Sequence, residues 1–114
     1  MKPNGWHRHP NGGGWVQETA HVEDSAYVGP YAQVFDEAQV CGRARVSGWA
    51  QVCGRAQVYG EARVYGEAEV SGQAQVFDRA WVFGAARVFG EAQVFGDEQI
   101  QESNHDHLTT GGQP

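Results

Sequence analysis

Bulky aliphatic side chains are nearly missing from this 114-residue chain: Ile100 and Leu108 are its only isoleucine and leucine, and it has one methionine. The length allows a single domain, but a globule packed on leucine and isoleucine is excluded. No run of 18 apolar residues occurs, which excludes a helical membrane span. No basic-then-apolar leader opens the sequence, so the cytoplasm is the expected location. Cys41 and Cys53 are the only cysteines, too few for a disulfide framework, and both read as free thiols. Basic residues are also scarce, 8 Lys and Arg against 14 Asp and Glu. The resulting formal charge of −6 disfavours direct binding to nucleic acid and suits either simple solubility or a basic protein partner.

Valine, alanine and glycine take the place of what is missing. Val recurs every sixth residue from Val16 through Val94, and Ile100 closes the series. Ala stands two places before each of these from Ala20 to Ala92, with Gly14 and Glu98 at the ends. Two places after comes Gly, from Gly42 to Gly96, replaced by Asp36 and Asp78. The unit is Ala-x-Val-x-Gly-x. Its local alternation of small apolar and polar residues is the signature of strand. A Gly or Asp every sixth residue supplies the turn, because glycine takes positive φ freely and aspartate tolerates it.

Three strand-and-turn units make a triangular coil of eighteen residues, and stacked coils pair in parallel about 4.8 Å apart. So slender a prism admits only Ala and Val inside. The repeat resembles the hexapeptide-repeat left-handed β-helix family over residues 15–100, which implies an all-β solenoid of about five coils. It departs from that family's usual unit in placing the small turn residue one position later. The segment His9-Pro10-Asn11-Gly12-Gly13-Gly14-Trp15-Val16, with Thr19-Ala20-His21-Val22 and Ala26-Tyr27-Val28-Gly29-Pro30, also resembles small hexapeptide-repeat proteins of phages and prophages. Residues 1–14 read as a flexible lead. Residues 15–33, with Glu18, Asp24 and Pro30 in place of Gly, read as an N-terminal capping coil, and residues 101–114 as a C-terminal cap or tail.

Residues eighteen apart should stack, so the outward positions form columns. Gln39, Gln57, Gln75 and Gln93 make one, with His21 at its foot; Cys41, Tyr59, Phe77 and Phe95 make the next; Arg43, Glu61, Arg79 and Asp97 alternate in sign beside it. Amide, ring and charge ladders of this kind hold coils in register. The residue after each Val should point outward, yet it is aromatic at Phe35, Tyr59, Tyr65, Phe77, Phe83, Phe89 and Phe95. Tyr27, Arg45, Arg63 and Trp81 fall in one column as candidate cation–π partners. An apolar surface of this kind marks an interface. The expected binding residues are Tyr59, Tyr65, Phe77, Trp81, Phe83, Phe89, Phe95, Arg45 and Arg63. They would serve self-association as a trimer or dimer, or a different protein.

Proteins resembling this one include acyltransferases and zinc carbonic anhydrases. The transferases generally use a His base and an inserted loop, but here the register runs from Val16 to Ile100 without insertion, and His21 is the lone repeat histidine. The three His ligands of the anhydrase arrangement are missing. His7 and His9, or His105 and His107, could each offer a metal two ligands but no clear third. Gly12-Gly13-Gly14 lacks the Lys-Ser or Lys-Thr of a phosphate loop and reads as a linker. The expected function is therefore a non-enzymatic binding scaffold without a cofactor, in the light of the phage resemblance an accessory protein that binds a host defence or nucleic-acid-binding protein. An acyltransferase with an inter-subunit site, or a structural part of a virion, are the alternatives.

Overall fold

The computed structural model describes residues 5–101 and 104–106. A typical repeat contributes a two-residue strand such as Gln39–Val40 and then a four-residue turn, Cys41-Gly42-Arg43-Ala44. The Ala44 N–H donates to the Cys41 carbonyl at 3.3 Å and closes the turn. Gly42 has φ +66°, and the same sign recurs at each repeat glycine to Gly96 and at Asp36 and Asp78, with φ 60° and 59°. Positive φ strains most side chains, whereas glycine has no Cβ to clash and Asp bears the strain better than most.

Every third strand falls on the same face, and pairing is parallel at a spacing of 18 residues, as in Gln39 with Gln57 and Gln57 with Gln75. Three sheets result. One runs through Trp15–Gln17, Gln33–Val34, Gln51–Val52, Glu69–Val70 and Arg87–Phe89; the second through the strands that begin at His21, Gln39, Gln57, Gln75 and Gln93; the third through those that begin at Tyr27, Arg45, Arg63, Trp81 and Gln99. N–H groups reach the coil above: Gln57 donates to the Ala74 carbonyl at 3.0 Å, Tyr59 to Val76 at 3.0 Å and Glu61 to Asp78 at 2.8 Å. The backbone is thus satisfied along the stack although most strands have only two residues.

The prism is filled by the two small columns. Ala26 to Ala92 and Val28 to Val94 are all fully buried, and Ile100 ends the series at 4% exposure. Cys41 and Cys53 are free and half-buried on different faces.

The N-terminal stretch read as a lead contains a paired strand. Trp6–Arg8 is a strand that pairs antiparallel with Trp15–Gln17, His7 opposite Val16. The link between them tucks under the first coil. The Gly14 N–H donates to the Val28 carbonyl at 2.9 Å, and the Val28 N–H donates to the Asn11 carbonyl at 3.0 Å. The Asn11 Nδ2 amide donates to the Ala26 carbonyl at 3.1 Å. Gly14 is required by closeness: a Cβ there would lie 2.3 Å from Val28 Cγ1. An open β-helix end exposes its core and unpaired carbonyls, and this segment covers both.

The first coil also turns differently. Glu18, Asp24 and Pro30 occupy the turn position without positive φ, while the closing bonds persist, as from the Ala26 N–H to the Glu23 carbonyl at 3.0 Å. In later coils the residue after the turn glycine donates its N–H upward, as Arg43 does to the Gly60 carbonyl. In the first coil hydroxyls do this: Thr19 Oγ1 donates to the Asp36 carbonyl, and Ser25 Oγ donates to the Gly42 carbonyl at 2.7 Å. Gln17 and Glu23 accept in turn from the N–H groups of Asp36 and Gly42, at 2.7 Å and 2.9 Å. At the other end, Asn104–Asp106 pairs with Arg87–Phe89 at a spacing of 17, one residue short of the repeat, with His105 opposite Val88.

Candidate functional surfaces

Ring ladders stand where the eighteen-residue spacing places them. Tyr59 and Phe77 stack at 5.0 Å and 4° between planes, and Phe77 and Phe95 continue the stack at 5.3 Å and 8°. On the next face Tyr65 and Phe83 stack at 5.2 Å and 8°. Trp81 meets Tyr65 edge-on at 6.3 Å. Phe35 is covered by Trp6 from the N-terminal strand at 5.9 Å. Phe89 stands above Ser71 rather than another ring, and among the described residues it makes no ring contact.

These post-valine rings were expected to lie exposed. They are half-buried; in the stacks each ring covers part of its neighbour, and Trp6 covers part of Phe35. The large side chains that do lie open are Tyr31 and Trp49, 62% and 63% exposed, stacked on each other at 4.8 Å. They occupy the position after the turn residue, in a column that continues as Glu67 and Ala85, not among the outward columns singled out from the sequence. Their separation of eighteen residues was the available signal. With Arg8, Trp15, Pro30 and Gln33 they line a shallow cleft.

Between the corner and the third face lies a second cleft of about 530 Å³, lined by Arg43, Arg45, Glu61, Arg63, Arg79, Trp81, Asp97 and Gln99. The Arg45 guanidinium lies 4.9 Å from the Tyr27 ring centre, and that of Arg63 lies 5.5 Å from the Trp81 ring centre. The candidate cation–π column thus becomes two separate pairs. Arg79 meets Glu61 at 3.7 Å in the alternating column. Elsewhere Arg55 meets Glu37 at 3.3 Å and Arg87 meets Glu69 at 4.0 Å. All three ion pairs are well exposed, so each contributes between about 0 and 1 kcal/mol.

Residues 38–54 and 56–72 match a family model described as the YdcK beta solenoid repeat. The chain is a β-solenoid repeat protein. The two matched windows begin 18 residues apart, so each corresponds to one coil of the solenoid. No curated protein and no solved structure matches the chain.

The histidines of the solenoid are dispersed. His9 is 3% exposed and its Nε2 lies 2.8 Å from the Ala26 carbonyl, whereas His7 is exposed and its Nδ1 lies 3.4 Å from a Glu18 carboxylate oxygen. The expected two-ligand pair is therefore split between a buried backbone contact and a surface contact. His105 is placed only by its backbone in the last strand, and His107 lies outside the described residues. His21 is exposed at the foot of the Gln column, paired in register with Gln39. Among the described residues no group of three or more His, Cys, Asp or Glu could hold a metal ion, and no helix is long and apolar enough to cross a membrane.

Burial raises the Cys41 thiol pKa above its ordinary value, with Glu23 adding to the rise. Burial does the same at Cys53, followed by Asp36 and Glu69. The Tyr59 phenol is raised by burial and then by Asp78. Thiols shifted this way are poor nucleophiles at neutral pH.

Proposed function

We propose that this solenoid is a non-enzymatic binding scaffold that self-associates through its aromatic faces. The observation that carries the reading is the Tyr59–Phe77–Phe95 ladder, three rings in register at the turns that follow the Gln57, Gln75 and Gln93 strands, with Tyr65–Phe83 at the turns that follow the next set of strands. Rings fixed by stacking lose little further entropy on docking, and aromatic side chains dominate interface energetics. An uninterrupted repeat offers flat walls rather than a loop-built pocket. The net charge of −6 and the resemblance to small phage and prophage proteins support an accessory role whose second partner is a basic host protein.

Light scattering coupled to size exclusion tests the self-association. The native chain is expected to run as a dimer or trimer, and Phe77→Glu or Phe83→Glu as a monomer that keeps a β-rich far-ultraviolet spectrum. A monomeric native chain at high micromolar concentration, or an unchanged mass for both variants, overturns the proposal.

A further inference from the structure

We infer that the cleft lined by Arg43, Arg45, Arg63 and Arg79 is a binding site for a phosphate-bearing ligand, separate from the ring ladders. The chain has more acidic than basic residues, 14 against 8, yet this one cleft gathers four arginines with Glu61 and Asp97 as its only carboxylates. Glu61 is engaged by Arg79. Among the described residues no carboxylate comes within ion-pair distance of Arg43, Arg45 or Arg63. The cleft therefore carries a local positive excess on a negative protein.

Arg45 and Arg63 are register partners on adjacent parallel strands, which sets two like charges one rung apart at about the 4.8 Å strand spacing. Like charges directly opposed destabilise a sheet. The fold does not require them, because the equivalent rungs elsewhere are Gln39 with Gln57, Gln57 with Gln75 and Glu69 with Arg87. Both guanidinium groups lie against rings rather than carboxylates, Arg45 on Tyr27 and Arg63 on Trp81. Ring contact steadies the guanidinium while leaving its in-plane N–H fork unspent.

Three unpaired forks around one cleft ask for more than a single carboxylate, which one fork satisfies bidentately. A phosphate group brings three acceptor oxygens and about −1.5 to −2 charges at neutral pH, and matches that demand. The cleft volume of about 530 Å³ falls in the range of small-molecule sites.

Calorimetric titration with inorganic pyrophosphate at low ionic strength tests the site, with citrate as the polycarboxylate arm. The native chain should bind pyrophosphate saturably and more tightly than citrate. Arg45→Gln with Arg63→Gln, which copies the rung of the neighbouring face, should weaken binding about tenfold or more. Replacing both by Lys keeps the charge but removes the fork, so affinity should fall between the two. Arg55→Gln with Arg87→Gln removes the same charge from other parts of the solenoid and should leave affinity within about twofold. Absence of saturable binding, an equal loss in the control pair, or citrate binding as tightly as pyrophosphate overturns the inference.

Discussion

Phe77 lies nearly flat on Tyr59, one coil apart, with 5.0 Å between ring centres and 4° between planes. Its other face meets Phe95 at 5.3 Å, so the ring is held from both sides. Phe77→Ala removes two stacked pairs, each contributing about 0.5 to 1.5 kcal/mol beyond area burial. We expect a loss of about 1 to 3 kcal/mol in urea unfolding, measured at a concentration low enough to keep the chain monomeric. Phe89→Ala, without a ring partner among the described residues, should cost less. Equal losses for the two variants would show that the stack adds nothing.

Val58 is completely buried at the centre of the prism, with Val40 and Val76 as its register partners. Val58→Asp would place a carboxylate where only Ala and Val line the interior, and an unpaired buried charge costs several kcal/mol. That approaches the whole stability expected of a domain this small. The expected result is loss of the β spectrum and recovery of the chain in the insoluble fraction. A soluble, cooperatively melting variant would mean that the interior can admit water or open locally.

Gly66 has φ +71°, and a Cβ at that position would lie 2.8 Å from the Gly84 backbone nitrogen. Gly66→Ala should therefore destabilise by about 1 to 2 kcal/mol. Asp fills the same turn position at Asp36 and Asp78, where Oδ2 accepts from the N–H of Gly54 at 3.1 Å and of Gly96 at 3.0 Å. Gly66→Asp should then be milder than Gly66→Ala, because it gains an equivalent bond to the next coil. Chemical denaturation midpoints in the order Gly, Asp, Ala support this account; Ala above Asp contradicts it.

The winding and the core were legible because a period of six with a coil of eighteen assigns each residue to a face and a column. The stacks of Tyr59 on Phe77 and Tyr65 on Phe83 followed from that arithmetic. What escaped were the places where the repeat ends or where neighbours alter exposure. Trp6, His7 and Arg8 carry no alternating pattern, so nothing local announces that they pair with Trp15–Gln17. His9 is buried against Ala26 by the need to close an open coil, a tertiary demand without a sequence signature. Outward direction was read as exposure for Phe77 and Phe83, but stacked rings shield one another. The open pair, Tyr31 and Trp49, sits in a column otherwise occupied by small and charged residues.

Cys41 and Cys53 both have raised pKa values, chiefly through burial and then through Glu23 at the first and Asp36 and Glu69 at the second. Tyr59 is raised by burial and Asp78. For each group the folded chain holds its proton to higher pH than the unfolded chain does. Below the ordinary thiol range both states are protonated, so these groups impose no slope. As pH climbs past about 9, where an unshifted thiol ionises, the unfolded chain releases protons that the folded chain retains. Stability must then decline with rising pH until the folded-state values are passed. Urea midpoints measured from neutral pH upward should stay level and then fall in the alkaline range. The double variant Cys41→Ser with Cys53→Ser should show a shallower fall, leaving the tyrosine contribution at still higher pH. In parallel, alkylation by iodoacetamide near pH 8 should be slower for the folded chain than for the same chain in urea. A midpoint that rises above pH 9, or thiols that react faster when folded, would mean that the two sulfurs meet a more positive environment than their acidic neighbours provide.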